Sequence, residues 1–394
     1  MSKRLKKNFH RLRFTVKGFH LRSFISKSLQ RLPFSSEYFG PPKSHISVQK
    51  LSKTSTHSYR EIFPKYTFEY PSFPLADAIT GDGFKNSPAG KTYFPPVFLL
   101  TMKEGRVFGG NGVVITNNDL VVKETAIEWV KSINEHSIFQ KWKLPRIVKK
   151  NECIAVVASK SSPCYFHWIF DILPRFEILR RANVSYDRIY LNPLRHPFQK
   201  ETFKMMNIDP AKVIWSDPKI HLKAEQLVVP SLPAIPGTMS RWVCRFLQQK
   251  ILPSNLRKKH AKIYISRREA FSRRIVNEEI LLRFLKSQGF EEYTLENLSV
   301  AEQASLFASA KVIVSSHGAA LTNLVFCQEG AHVVEIFTPN YVNPCYWLLS
   351  QQLKLRHHPV LGSNKNLSCA QRKKHDVFIC LNELETIFQK LESI

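Results

Sequence analysis

The chain reads as an α/β protein with two parallel-sheet units in succession, facing each other across a cleft. Three observations carry that reading. From Cys153 to Val229 short apolar runs alternate with helix-like stretches, and from Lys262 to Phe337 the alternation recurs. Between the two, Pro230, Pro233, Pro236 and Gly237 end the first unit. The run Cys153 to Ala158, CIAVVA, is of the continuous apolar kind found in strands buried on both faces.

The elements follow in order. Residues 1–36 hold ten Lys or Arg and no acid, while Leu5, Phe9, Leu12, Val16 and Phe19 recur at i, i+4, i+7, i+11 and i+14. Such a stripe on a basic helix can lie on an anionic bilayer, each cation contributing about 1 kcal/mol. This makes residues 1–32 a candidate membrane-surface contact. A disordered basic tail, or a stripe docked on the protein's own body, stays open beside it. From Leu32 to about Pro96 no period is sustained, so extended or loop structure is expected. Short alternating runs at Pro96 to Leu100 and Arg106 to Phe108 predict antiparallel strands.

After Lys150 the rhythm changes. Ser161-Ser162-Pro163 is a helix-start signal before a helix over 164–182. Strands are expected at 188–191, 212–215 and 226–229, with a helix near 199–206 and another over 239–251. The second unit then reads strand 262–266, helix 277–288, strand 291–294, helix 300–310 and the stretch 311–337. These patterns divide the chain into 1–44, 45–238 and 239–394.

Composition narrows the class. The chain has 394 residues, 43% hydrophobic and 12% aromatic, as in globular proteins. No apolar run is long enough to cross a bilayer and no secretory signal is evident, so a cytoplasmic protein is expected. Seven scattered cysteines without a CxxC pair fit reduced thiols, and neither a structural metal nor an obligatory cofactor is expected. The formal charge of +27 raises nucleic acid as a partner, but no helix-turn-helix, zinc-finger or RNP-like motif accompanies it.

The stretch 311–337 carries the clearest chemistry. Val312 to Val314 form a β-branched run ending at Ser315-Ser316; His317-Gly318-Ala319-Ala320 opens a helix-compatible segment, and His332 to Phe337 is a second strand. Small residues at 318 to 320 let a ligand approach a helix N-terminus, where unpaired N–H groups favour an anion such as a diphosphate. The same residues also fit a close helix–sheet contact with no ligand. Upstream, Tyr264-Ile265-Ser266-Arg267-Arg268 puts two guanidiniums at a strand's carboxyl end, followed by Arg273, Arg274 and Asn277; guanidinium forks suit phosphate. In YFHWIFDILPRF, His167, Asp171 and Arg175 share one helix face. Either Asp171 and Arg175 pair as a structural bridge or that face looks into the cleft, and Pro174 argues for a kink. Glu335, in an apolar strand, can accept ribose hydroxyls or pair with a basic neighbour.

HWIFDILPR, YISRRxAxxRRIVNE, LSVAEQASLFASAKVIVSSHGAALTNLVF and VVEIF, in this order, resemble glycosyltransferase family 61, including bacterial members linked to capsule and exopolysaccharide synthesis. The resemblance runs from about residue 150 to 350. It implies a GT-B-like arrangement, two Rossmann-like domains facing a cleft, with the N-terminal extension outside it. It implies an inverting, metal-independent transfer from a nucleotide-sugar donor, uridine-linked, to a glycan acceptor, polysaccharide or lipid-linked. On that footing 45–238 is the acceptor side and 239–394 the donor side. Donor contacts then fall to Arg267, Asn277, His317, Gly318, Ala319, Ala320, Asn323 and Glu335, and acceptor or phosphate contacts to Arg175 and Arg268. Asp171 is the first choice as catalytic base and His167 the second. A catalytically silent carbohydrate- or nucleotide-binding protein on the same scaffold is the competing reading.

Overall fold

The computed structural model describes residues 40–53, 57–80, 90–128, 132–253, 261–365 and 367–392. The basic amphipathic stripe, and with it the membrane-surface reading of residues 1–32, lies outside the described residues.

The first sheet is built from β1 (Ser44–Ile46), β2 (His57–Phe63), β5 (Val97–Lys103), β6 (Arg106–Phe108), β7 (Val113–Ile115), β8 (Leu120–Val122), β9 (Val148–Val156), β10 (Arg188–Leu191), β11 (Val213–Trp215) and β12 (His221–Pro230). Its order is β1-β8-β7-β6-β12-β9-β10-β11, with β5 beside the second half of β12 and β2 outside β5. Strands β12, β9, β10 and β11 run parallel, whereas β2, β5, β6 and β7 join by antiparallel pairing. Apart from the short parallel pair β1 and β8, parallel pairing in this sheet is found where strand and helix patterns alternate in the sequence. The expectation of two similar units is corrected, because the first is a mixed sheet. So is the reading of 32–96 as loop: β2 lies there, as does a hairpin of β3 (Tyr66–Glu69) and β4 (Lys91–Phe94). Their Pro-rich surroundings hid the period-2 pattern.

The second sheet is parallel throughout, β14 (Phe290–Tyr293), β13 (Ala261–Ile265), β15 (Ala310–Ser316), β16 (His332–Phe337) and β17 (Arg356–Leu361), in that spatial order. Numbered within the sheet, the order is 2-1-3-4-5. This doubly wound order has a switch point between its first and third strands, where open α/β sheets leave a crevice at their carboxyl ends. β17, RHHPVL, escaped the sequence reading because two histidines and a proline mask its apolar face.

Side chains divide by the period of two. Ala155, Val157 and Val228 of the first sheet, with Ile263, Ile313 and Val333 of the second, join one core, whereas Ile154, Val156 and Leu227 face a separate cluster. On the far side of the second sheet Tyr264, Val314 and Val334 form a third. The shared core is filled by α1 (Tyr165–His167), α2 (Leu173–Ala182), α3 (Pro197–Met205), α4 (Arg241–Ile251), α6 (Val300–Ser309), α7 (Cys345–Leu353) and a 3-10 helix over Ala319–Phe326, while α5 (Glu278–Ser287) and α8 (Leu381–Glu392) cover the outer face. Each large side chain removed from water there contributes about 1.5–3 kcal/mol, so apolar contact binds the two sheets.

Between α1 and α2 the chain makes a π turn, Trp168–Ile172. Its cause is Pro174, which cannot donate to the carbonyl four residues back. The wider turn rotates Arg175 away from Asp171. Arg175 is buried, donating from Nη1 to Val157 O (2.9 Å), from Nη2 to Val156 O (2.9 Å) and Pro230 O (2.8 Å), and from Nε to Pro230 O (3.2 Å). Burial pushes its pKa down to about 10, opposed by Asp171. It ties the ends of β9 and β12 together, in place of the acceptor or phosphate contact expected of it. Arg175→Leu would strand those carbonyls in an apolar interior, and we expect a loss on the order of 3 kcal/mol in urea denaturation. A loss under about 1 kcal/mol would remove Arg175 from that role.

Candidate functional site

The site is assembled at the switch point, where β13 and β15 end side by side, Ile265 opposite Ser315. After β13 the chain delivers Arg267; after β15 it delivers His317 and Gly318. Gly318 is extended (φ 174°, ψ 175°), so its backbone does not require glycine. The space above it is taken by Arg267: a Cβ would fall 2.5 Å from Cζ, so a side chain at 318 requires the guanidinium to move. Arg267 lies across that bare backbone and donates from Nη2 to Ser272 O at 3.0 Å, while its Nε is buried without a partner. Burial, then the nearby Arg273, pushes its pKa down to about 10.

Arg273 is the residue the sequence reading named in passing and did not choose. It adopts a left-handed conformation (φ 59°), its carbonyl accepts from Ser316 Oγ at 2.7 Å, and its guanidinium sits 4.8 Å from the Tyr341 ring centre. Among the described residues neither Arg267 nor Arg273 forms an ion pair, although Arg268, Arg274, Arg180 and Arg181 all do. Two cations held close repel each other, with Glu296 acting on Arg267 and Glu335 on Arg273 only from beyond ion-pair distance, and an incoming anion would relieve that repulsion.

Behind this corner stands a buried acid. Glu335 is fully enclosed, with Oε1 2.5 Å from Nδ1 of His317 and Oε2 3.0 Å from Nε2 of His357; the second pair lacks hydrogen-bond alignment. His357 Nδ1 meets Ser350 Oγ at 2.7 Å. Burial raises the Glu335 carboxyl well above its usual range, Arg273 opposing, and lowers His317 well below its own. His357 is pushed down to about 3, burial again leading. Glu335 is thus enclosed by histidines and has no exposed oxygen for a ribose.

From the other sheet comes the start of the helix after β9. His167 Nδ1 and Asp171 Oδ2 are 2.6 Å apart; the His167 side chain is 17% exposed and Asp171 8%. Burial raises the Asp171 pKa, against His167 and Arg175. The adjoining Phe166 ring meets Tyr346 edge-on at 5.9 Å, and Tyr346 lies 5.3 Å from His317. Tyr165 Oη donates to Asn323 Oδ1 at 2.8 Å. The carboxyl edges of both sheets therefore meet here.

Other expected contacts are placed elsewhere. Asn323 is buried, its amide taken up by Tyr165, Gln303 and Ala320 as a bridge between the halves. Asn277 pairs both amide atoms with the backbone of Ile379, at 2.9 and 3.1 Å. Arg268 is exposed and pairs with Glu292 and Glu278. The His317 amide donates to Ile336 O, leaving those of Gly318, Ala319 and Ala320 to head a 3-10 helix where an α-helix was expected. Ala319 and Ala320 are half-buried and small enough for close approach. Gly318→Ala should lose about 1–3 kcal/mol by displacing Arg267, and should lose little in an Arg267→Ala background. Additive effects in that double-mutant cycle would refute the contact.

Comparison with known proteins falls on this same region. The family model Glycosyltransferase 61 matches residues 165–334, which include His167, Asp171, Arg267, Arg273, His317 and Gly318. Protein O-linked-mannose beta-1,4-N-acetylglucosaminyltransferase 2 from Canis lupus familiaris and from Homo sapiens are each 31% identical over 117 residues, 29% of this chain and 20% of theirs. The match thus spans about a fifth of the length of those relatives, and the family-model match covers the stretch that holds the junction just described.

Proposed function

We propose that the protein is an inverting glycosyltransferase that uses a nucleotide-diphosphate sugar, uridine-linked, without an obligatory metal. The observation that carries this reading is the pair Arg267 and Arg273, neither in an ion pair among the described residues, at the switch point of a parallel sheet, beside the backbone of Gly318. Two forks and the amides of Gly318 to Ala320 match a diphosphate, whose charge grows as the sugar departs. The overall arrangement in this reading is GT-B-like, with residues 45–238 on the acceptor side and 239–394 on the donor side.

The acceptor hydroxyl attacks the anomeric carbon as the carbon–oxygen bond to the phosphate breaks, leaving its electron pair on the phosphate oxygen. The acceptor's proton must go to a base. With Nδ1 held by the Asp171 carboxylate, His167 keeps its lone pair on Nε2, so it takes the proton and Asp171 orients it. This reverses the order expected from sequence. The exposure of the two side chains and the burial of Asp171 behind the ring support it.

For the acceptor, we infer a glycan: a capsular or exopolysaccharide chain or a lipid-linked saccharide, the last agreeing with a membrane-surface role for residues 1–32. The names of the relatives add O-linked mannose on protein as an acceptor class to be tried.

A thermal-shift panel of nucleotide-sugars should single out one that raises the melting temperature. Arg267→Ala should weaken uridine diphosphate binding at least tenfold by calorimetry; unchanged affinity would refute the placement. With that donor, His167→Ala should lower turnover by roughly 10²- to 10⁴-fold while binding persists. Asp171→Asn should act in the same direction. Binding without turnover or donor hydrolysis in the unmodified protein would instead identify a silent binding protein.

A further inference from the structure

The buried row Ser350, His357, Glu335 and His317 has no part in the mechanism above, yet it ends at the candidate phosphate site, and its one unaligned step lies between His357 and Glu335. It contains one proton position that decides what His317 can do. If Glu335 is a carboxylate, Nδ1 of His317 carries the hydrogen and Nε2 is a lone pair, which repels phosphate oxygen. If Glu335 is the acid, its proton lies toward Nδ1 and Nε2–H is a donor.

We propose that Glu335, as the neutral acid, donates to Nδ1 of His317 and fixes the Nε2–H tautomer, so that His317 offers phosphate a hydrogen bond instead of a base. Geometry supports this first. A carboxylate would draw N–H groups onto both oxygens, yet only the Oε1–Nδ1 pair is aligned; Oε2 and Nε2 of His357 stand 3.0 Å apart without alignment. The surroundings agree. Groups facing Glu335 are His317 from the end of β15, His357 from β17, Cys345 and Tyr346 from α7, and Arg273 from the loop after β13. Arg273 is the sole cation among these, and it forms no ion pair with the carboxyl among the described residues. On the other side, Arg267 and Arg273 both disfavour an imidazolium at His317, so the ring stays neutral. Ser350 holds His357 through Nδ1, so that its ring stands beside Oε2 of Glu335 without an aligned hydrogen bond to it.

The role of the tautomer rests on the diphosphate reading of this corner, but the tautomer itself does not. In deuterated protein labelled with 15N-histidine, long-range 1H–15N correlation spectra at neutral pH should show His317 with an unprotonated Nδ1 and a protonated Nε2, its signals identified by their loss in His317→Gln. A protonated Nδ1 would overturn the proposal whatever the protein binds. Uridine diphosphate binding provides the second arm. Glu335→Gln, whose amide can still donate to Nδ1, should stay within about threefold of the unmodified affinity, whereas Glu335→Ala should weaken it at least tenfold. Equal loss in both variants, with near-native circular dichroism, would also overturn it. Failure of the diphosphate reading would be recognised separately, by absence of uridine diphosphate binding in the unmodified protein with the His317 tautomer still as stated.

Discussion

A guanidinium resting on the bare backbone of Gly318 is the contact from which the candidate site is built. It ties the ends of two adjacent parallel strands, because Arg267 leaves β13 and Gly318 leaves β15. Any side chain larger than hydrogen at 318 must displace that guanidinium, although the backbone there is extended and permits any residue. With Arg267 so placed, Arg273 has nowhere to turn but the same crevice, where the Tyr341 ring receives it. Mutual repulsion of the two cations and the dry, neutral histidine beneath them follow from that arrangement.

The second requirement is that the other sheet arrive at the same place. It does so through apolar contact, with the core running without a break from β9 through the helices to β15. The polar bridge from Tyr165 to Asn323 and the ring contacts from Phe166 through Tyr346 to His317 fix the last few ångströms. A further strap comes from the N-terminal part of the described chain. Phe73 packs on Phe337 and Trp347, and Thr80 and Val342 exchange hydrogen bonds. Residues that sequence reading left as loop therefore help clamp the second sheet beside its site.

Much of the second sheet was legible because β13, β15 and β16 are largely apolar strands and β13, β14 and β15 are each followed by a helix-compatible stretch, although β14 itself, FEEY, carries two glutamates. The corner of Arg267, His317 and Gly318 was legible too, since a strand end rich in Arg and a strand end rich in small residues are local signals. Arg273, His357 and Ser350 were not, because they matter only through partners that another element brings up: Ser316 and Tyr341 for Arg273, and Glu335 of β16 beside the pair His357 and Ser350. Asn277 and Asn323 looked like ligand contacts for the converse reason. A polar residue in an apolar stretch must find a partner, and sequence does not say whether that partner is a ligand, Ile379 or Tyr165.

The π turn shows how one residue separates two readings of the same pattern. His167, Asp171 and Arg175 at i, i+4 and i+8 share a face only on an ideal α-helix, and Pro174 forbids one. A single widened turn then divides the triplet. His167 and Asp171 remain together at the carboxyl edge of the first sheet, and Arg175 swings beneath it to take three strand carbonyls. Had the helix been regular, Arg175 would neutralise Asp171 directly, and the carboxylate would lose the capacity to hold His167 by Nδ1 against a competing guanidinium. With the arginine's hydrogen bonds spent on carbonyls, His167 is the side chain that, among the described residues, bonds the Asp171 carboxyl, and a proposed general base would be oriented in this way.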